Sequence, residues 1–122
     1  MPRVFLTCGD ATFCEILRNS LLAEGNFEIC GKQRNGIEVV KEAIGLFPDL
    51  VILGMEIPPI DDFQTAEALK LSMPDVQVFL VTELRGMEAE KEALSHGIDA
   101  VFERDDDLNS LVMNARAVCG LE

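Results

Sequence analysis

Short apolar runs alternate along this chain with longer segments in which apolar residues recur every three or four positions. The runs RVFLTC (3–8), FEICG (27–31), DLVIL (49–53), VQVFLV (76–81) and DAVF (99–102) have the length of strands. Helical patterns lie between them. Asp10 is placed to cap the first, in which Phe13, Ile16, Leu17 and Leu21 share a face and Gly25 marks the end. Ile37, Val40, Ala43, Ile44 and Phe47 form the inward stripe of a second helix, which Pro48 ends. A third runs from Asp62, its expected cap, to Ser72, short of Pro74. The fourth, MEAEKEALSHG, closes at Gly97, with His96 where a cation suits the helix dipole. The fifth carries three aspartates at its positive end, 105–107, and a buried stripe of Leu108, Leu111, Val112, Ala115 and Val118.

Strict alternation of five strands with five helices predicts an α/β domain spanning residues 1–122. Parallel strands need right-handed crossovers, which gives a single doubly wound five-stranded parallel sheet with helices on both faces. DLVIL is apolar at every position after Asp49, so it belongs in the middle of that sheet, covered on both sides. Ligand chemistry in such folds sits at the carboxyl ends of the strands. The stretch PDLVILGMEIPPIDDF therefore draws the eye: the central strand stops at Gly54, where no side chain is available to react.

Composition narrows the function. Ten basic residues stand against twenty-two acidic ones, for a net charge of −12. Nucleic-acid grooves need clustered Lys and Arg to displace counterions, so direct binding of DNA or RNA is not expected. No apolar run approaches membrane-spanning length, and MPRVFLTCGD lacks a leader's apolar core; a cytoplasmic domain with no membrane contact is expected. Cys8, Cys14, Cys30 and Cys119 form no CxxC pair and are read as reduced, small buried hydrophobes. A single histidine, His96, leaves no zinc constellation and no Ser-His-Asp triad. TCGDATFC lacks the glycine spacing of a phosphate cradle.

Over its whole length the chain resembles the receiver domain of response regulators, the phosphoacceptor module of two-component and phosphorelay signalling. PDLVILGMEIPPIDDF is similar to that family's third strand and loop, VFLVTE to its fourth strand, and GIDAVFER to its fifth. The resemblance implies a flavodoxin-like three-layer sandwich. It also implies five functional groups: two acids ending strand one that hold Mg²⁺, an acceptor aspartate ending strand three, a hydroxyl ending strand four and a lysine ending strand five. The matching positions here are Cys8 and Gly9, Gly54, Thr82 and Arg104. Only the hydroxyl survives, and arginine replaces the lysine. Gly54 has no atom on which an acyl phosphate can form. Cys8 is soft and Gly9 offers no ligand, whereas Mg²⁺ wants carboxylate oxygens, so its binding is expected to be lost or weak. The aromatic residue that receivers carry three positions before the lysine is Val101 here. The resemblance thus implies a degenerate pseudo-receiver that is not an enzyme and has no cofactor.

Other acids lie near the same strand ends. Asp10, Glu56 and Glu83 could form a small acidic mouth facing Arg104, or a solvated rim; Asp61 has nothing around it to organise a metal. Cys8 ends strand one beside the only nearby cation, Arg104, so thiol chemistry is a further reading. In receivers the fourth helix, fifth strand and fifth helix commonly form a dimer or partner face. Here that face would draw on Glu88, Glu92, Phe102, Arg104 and Asn109, with a histidine kinase, an output protein or a second copy as partner. Three functions stay open at this point: an interaction module that is not phosphorylated, a relay component using an unusual acceptor or completed by a partner, and a small thiol or ligand-binding enzyme on the same scaffold.

Overall fold

The computed structural model describes residues 1–8, 11–33, 36–54, 62–82, 87–103 and 108–121. Its elements follow the predicted alternation: β1 Arg3–Cys8, α1 Ala11–Glu24, β2 Glu28–Gln33, α2 Gly36–Leu46, β3 Leu50–Gly54, α3 Asp62–Ser72, β4 Gln77–Thr82, α4 Met87–Ser95, β5 Ala100–Glu103 and α5 Leu108–Val118. The strands form one sheet in the order β2-β1-β3-β4-β5, and every pairing is parallel. The switch in order lies between β1 and β3, the place where this class of fold builds its sites.

Strand alternation divides the core in two. Val4 and Leu6 of β1, Leu50 and Ile52 of β3, Phe79 and Val81 of β4 and Phe102 of β5 pack beneath α1 and α5. Phe5, Val51, Leu53, Val78 and Leu80 point the other way, beneath α2, α3 and α4. β3 is buried along its whole length, as its unbroken apolar run requires. On the edge, β2 is irregular: Val4 pairs with Ile29 and Phe5 with Gly31, which leaves Cys30 opposite no partner. A bulge there twists the exposed edge away from straightforward pairing with another chain.

The helix ends depend on backbone conformation. Gly97 follows α4 with φ +92, and a Cβ there would lie 3.2 Å from Cγ of Lys70. The left-handed angle favours glycine, and any side chain there would also crowd Lys70. α2 ends differently. Phe47 adopts φ 52, a left-handed conformation without glycine's freedom, immediately before Pro48, which disfavours helical continuation. This turn swings the Phe47 ring outward to 72% exposure.

Several expected inward positions are thereby corrected. Phe47 leaves the α2 stripe, and Ile44 is also exposed, while Val39 and Ala43 supply the buried face. In α1 Cys14 is buried and Ile16 is half exposed, because the helix leans its Phe13–Cys14–Leu17–Leu21 face onto the sheet. Val118 is exposed at the end of α5, one turn beyond Ala115. Phe102, expected on a partner face, is in the core instead. Its ring meets Phe79 with centroids 5.3 Å apart, since alternate residues of β5 must face opposite ways. Asp10 and the aspartates 105–107 lie outside the described residues, as does the side chain of Asp62, which is the first residue of α3.

The two isoleucines separate these environments. Ile52→Ala opens a cavity in a fully buried site and should cost about 3 kcal/mol. Ile16→Ala removes a half-exposed side chain and should cost less than about 1 kcal/mol. Urea unfolding of the two variants checks the assignment, and a larger loss from Ile16 would reverse the facing of α1.

Candidate functional site

Parallel pairing brings the carboxyl ends of the strands together. Cys8 stands in register with Gly54, Gly54 with Val81, and Thr82 with Glu103. Three of the five expected positions, Cys8, Gly54 and Thr82, thus end adjacent strands at one edge of the sheet. Gly54 is buried between its neighbours. Thr82 is partly accessible and has a partner of its own. Gly9, Asp10, Glu56, Glu83 and Arg104 lie outside the described residues, as does the side chain of Cys8.

What the described strand ends offer chemically is limited. β3 ends without a side chain, and β1 ends in a thiol rather than a carboxylate. A hard divalent cation prefers carboxylate oxygens, so these two ends do not fit Mg²⁺. Among the described residues no cluster of three or more His, Cys, Asp or Glu side chains is arranged to hold a metal ion. Nor is any described helix long and apolar enough to cross a membrane.

On the expected partner face, Glu88 and Glu92 are exposed along α4, and Asn109 is exposed near the start of α5. Phe102, as noted, is withdrawn into the core between them.

The opposite edge of the sheet carries polar structure that the sequence reading missed. The Asp49 carboxylate accepts from the Arg3 amide at 2.8 Å, while the Asp49 amide donates to the Arg3 carbonyl at 2.8 Å. Asp99 does the same for β4: it accepts from the Val78 amide at 2.8 Å and its own amide donates to the Val78 carbonyl at 2.7 Å. Lys70 pairs with Asp99 at 2.7 Å and donates to the Val76 carbonyl at 2.6 Å. The available signal was an aspartate directly before an apolar run, in PDLVIL and IDAVF. Such acids tie strand starts together rather than doing chemistry.

His96 has a structural place too. Its ring stacks on Phe63 of α3, with centroids 4.8 Å apart and planes 10° from parallel. Its Nδ1 approaches a Glu67 carboxylate oxygen at 3.2 Å but outside hydrogen-bond geometry, so the contact acts as an ion pair only when the ring is protonated. The ring therefore ties α3 to the end of α4.

The cysteines divide. Cys14 is buried, whereas Cys30 and Cys119 are half-buried and free. Burial raises the Cys30 thiol above its ordinary value, with the Arg3 cation pulling partly the other way. Burial, with a smaller push from the Asp49 charge, raises the Cys119 thiol from 9.0 to about 11. Neither is an activated thiolate.

With this geometry in view, comparison with known proteins places the chain. No family model matches it. The signal receiver domain of the response regulator NarL from Mycobacterium tuberculosis superposes with a TM-score of 0.90 at 19% identity, covering 98% of this chain and 96% of that one. The response regulator domain of Thermotoga maritima CheB gives 0.86 at 19% identity, covering 100% and 98%. In sequence, the chemotaxis protein CheY of Listeria monocytogenes is 25% identical over 115 residues, 91% of this chain and 97% of that protein. A protein-glutamate methylesterase/protein-glutamine glutaminase of Carboxydothermus hydrogenoformans is 30% identical over 112 residues, but the chain spans only 33% of that relative's length. The fold is that of the flavodoxin-like receivers. In sequence the chain is similar to proteins of the response-regulator type, and its structural neighbours share its fold.

The Cys119 shift has a consequence for stability. The folded state holds this proton more tightly than the unfolded chain, so the contribution is complete below about pH 9 and is lost as the pH rises through about 11. Thermal melts from pH 8.5 to 11 should therefore fall more steeply for the natural protein than for Cys119→Ala. Parallel curves would mean that this thiol is no more buried than in the unfolded chain.

Proposed function

We propose that this chain is a receiver domain of two-component signalling that acts through protein contacts and is not phosphorylated at the usual strand-three position. The observation that carries the reading is Gly54, buried at the end of β3 in register with Cys8 and Val81, where the family's acceptor aspartate would stand. A glycine cannot form an acyl phosphate. The thiol of Cys8 and the bare Gly9 supply no hard oxygen for Mg²⁺, so metal binding is weak or lost. Retention of Thr82 leaves a hydroxyl at the edge, which hydrogen-bonds but does not accept a phosphoryl group in this family's chemistry.

On this reading the domain is not itself an enzyme, has no cofactor and works in the cytoplasm. The activity named for the methylesterase relatives is not extended to it. Its partners are signalling proteins, a histidine kinase or an output protein, and a second copy of the chain is also accommodated. The exposed acids Glu88 and Glu92 with Asn109 give the α4–β5–α5 face a polar, negatively charged character. That face and the net charge of −12 favour basic protein surfaces over nucleic acid.

Intact-protein mass after incubation with acetyl phosphate and Mg²⁺ tests the reading. The natural protein should gain no phosphoryl group. Gly54→Asp alone should also gain none, because Cys8 and Gly9 leave the metal site without acids. Phosphorylation of the natural protein would sink the proposal and require the modified residue to be mapped. Phosphorylation of Gly54→Asp alone would confine the degeneracy to the nucleophile and show the metal site to be competent.

A further inference from the structure

At the amino-terminal edge of the sheet, away from the candidate site, a groove of about 440 Å³ opens between the end of α2, the α3–β4 turn and the end of α5. Its surface is nearly evenly divided between polar and apolar atoms. Phe47, 72% exposed, lines it together with Met73, Pro74 and Val118. Phe47 is held there by a left-handed backbone, a conformation costing a non-glycine residue on the order of 1 kcal/mol. An aromatic residue spending conformational energy to face solvent is a candidate contact residue.

The charge of the groove is one-sided. Among the described residues, Asp49 and Asp75 line it and no lysine or arginine does. The neighbouring cations are engaged elsewhere: Arg3 with Glu28 at 3.0 Å and with the Leu46 carbonyl, Lys70 with Asp99 at 2.7 Å, and Arg116 with Glu24 at 3.8 Å. Asp75 meets no cation among the described residues. Asp49 uses one carboxylate oxygen to accept from the Arg3 amide, and that bond leaves its negative charge in place.

We propose that this groove is a docking site for a protein segment that presents an arginine or lysine next to an aromatic or aliphatic side chain. The apolar side chain lies against Phe47, Met73 and Pro74, and the cation is met by Asp75 and Asp49. The site is independent of the strand ends, so it gives the domain a second contact surface on the opposite edge from Gly54. Such a contact is modest when only one or two side chains engage. Affinity in a full partner comes from a longer segment continuing across the exposed Val118 end of α5.

The test is an amide-resolved NMR titration of the ¹⁵N-labelled chain with a blocked phenylalanyl-arginine amide, alongside blocked glycyl-arginine and phenylalanyl-glutamate. Saturable shifts are expected at Phe47, Asp49, Ser72, Asp75, Gln77 and Cys119 with the first peptide only. Asp75→Asn should weaken binding about threefold, the worth of one exposed ion pair, and added salt should act in the same direction. Phe47→Asn suits the left-handed turn and should leave thermal stability unchanged or raised while weakening binding. Equal shifts with glycyl-arginine, or shifts scattered over the acidic surface, would reduce the effect to non-specific charge and overturn the proposal. So would the absence of saturable shifts at these amides, or unchanged affinity in both folded variants.

Discussion

The structure depends on the pairing of β3 on both edges and its burial on both faces. Leu50, Val51, Ile52 and Leu53 are fully buried, alternately feeding the two cores. A slip of one residue would exchange every one of these side chains between the α1–α5 layer and the α2–α3–α4 layer. The register is therefore fixed by packing, at roughly 1.5–3 kcal/mol for each large side chain withdrawn from water. That register, rather than any contact at the strand ends, sets Cys8 beside Gly54 and Gly54 beside Val81. The candidate site is a consequence of the core and contributes little to holding it.

The two edges of the sheet are built differently. At the amino-terminal edge, Asp49 and Asp99 each exchange two hydrogen bonds with a residue of the neighbouring strand, and Lys70 closes the network around Asp99. Each bond is worth about 1 kcal/mol net, somewhat more where a carboxylate accepts. At the carboxyl-terminal edge, the described ends of β1, β3 and β4 are a cysteine, a glycine and a threonine. Neighbouring carboxylates on strands one and three would repel one another unless a cation joined them. A sheet lacking them at those positions avoids that repulsion and needs no metal to relieve it.

Most of the fold was legible because each element announced itself by period. The unbroken run in β3 gave its central place, and Gly97 gave the end of α4. Errors arose where periodicity alone cannot choose between neighbouring positions. Ile16 and Cys14 both lie close to the Phe13–Leu17–Leu21 stripe, and packing against the sheet buries the smaller, less apolar of the two. Phe47 continued the α2 pattern by one position, but Pro48 had already set a turn that reverses its direction. Phe102 was assigned outward from resemblance to a family surface, although strand alternation pairs it with Ala100 on the inner side. At the site, the absences at Cys8 and Gly54 were readable from sequence, whereas their adjacency needed the register.

A receiver with an acceptor couples chemistry to its surface by moving between two arrangements, and a ligand shifts such an equilibrium only as far as it binds them unequally. On the proposed reading the acceptor position is the buried Gly54 and the residue that would gate with Thr82 is Val101. On that reading no phosphoryl group at Gly54 biases one arrangement over the other. The surface is then set by the two cores and the clamps at Asp49 and Asp99, which are present in every molecule. On that reading, regulation comes through which partner is present and at what concentration, because binding shifts the domain by mass action. The surface of the domain thus rests on core packing and strand-start hydrogen bonds that do not involve the strand ends at Cys8 and Gly54.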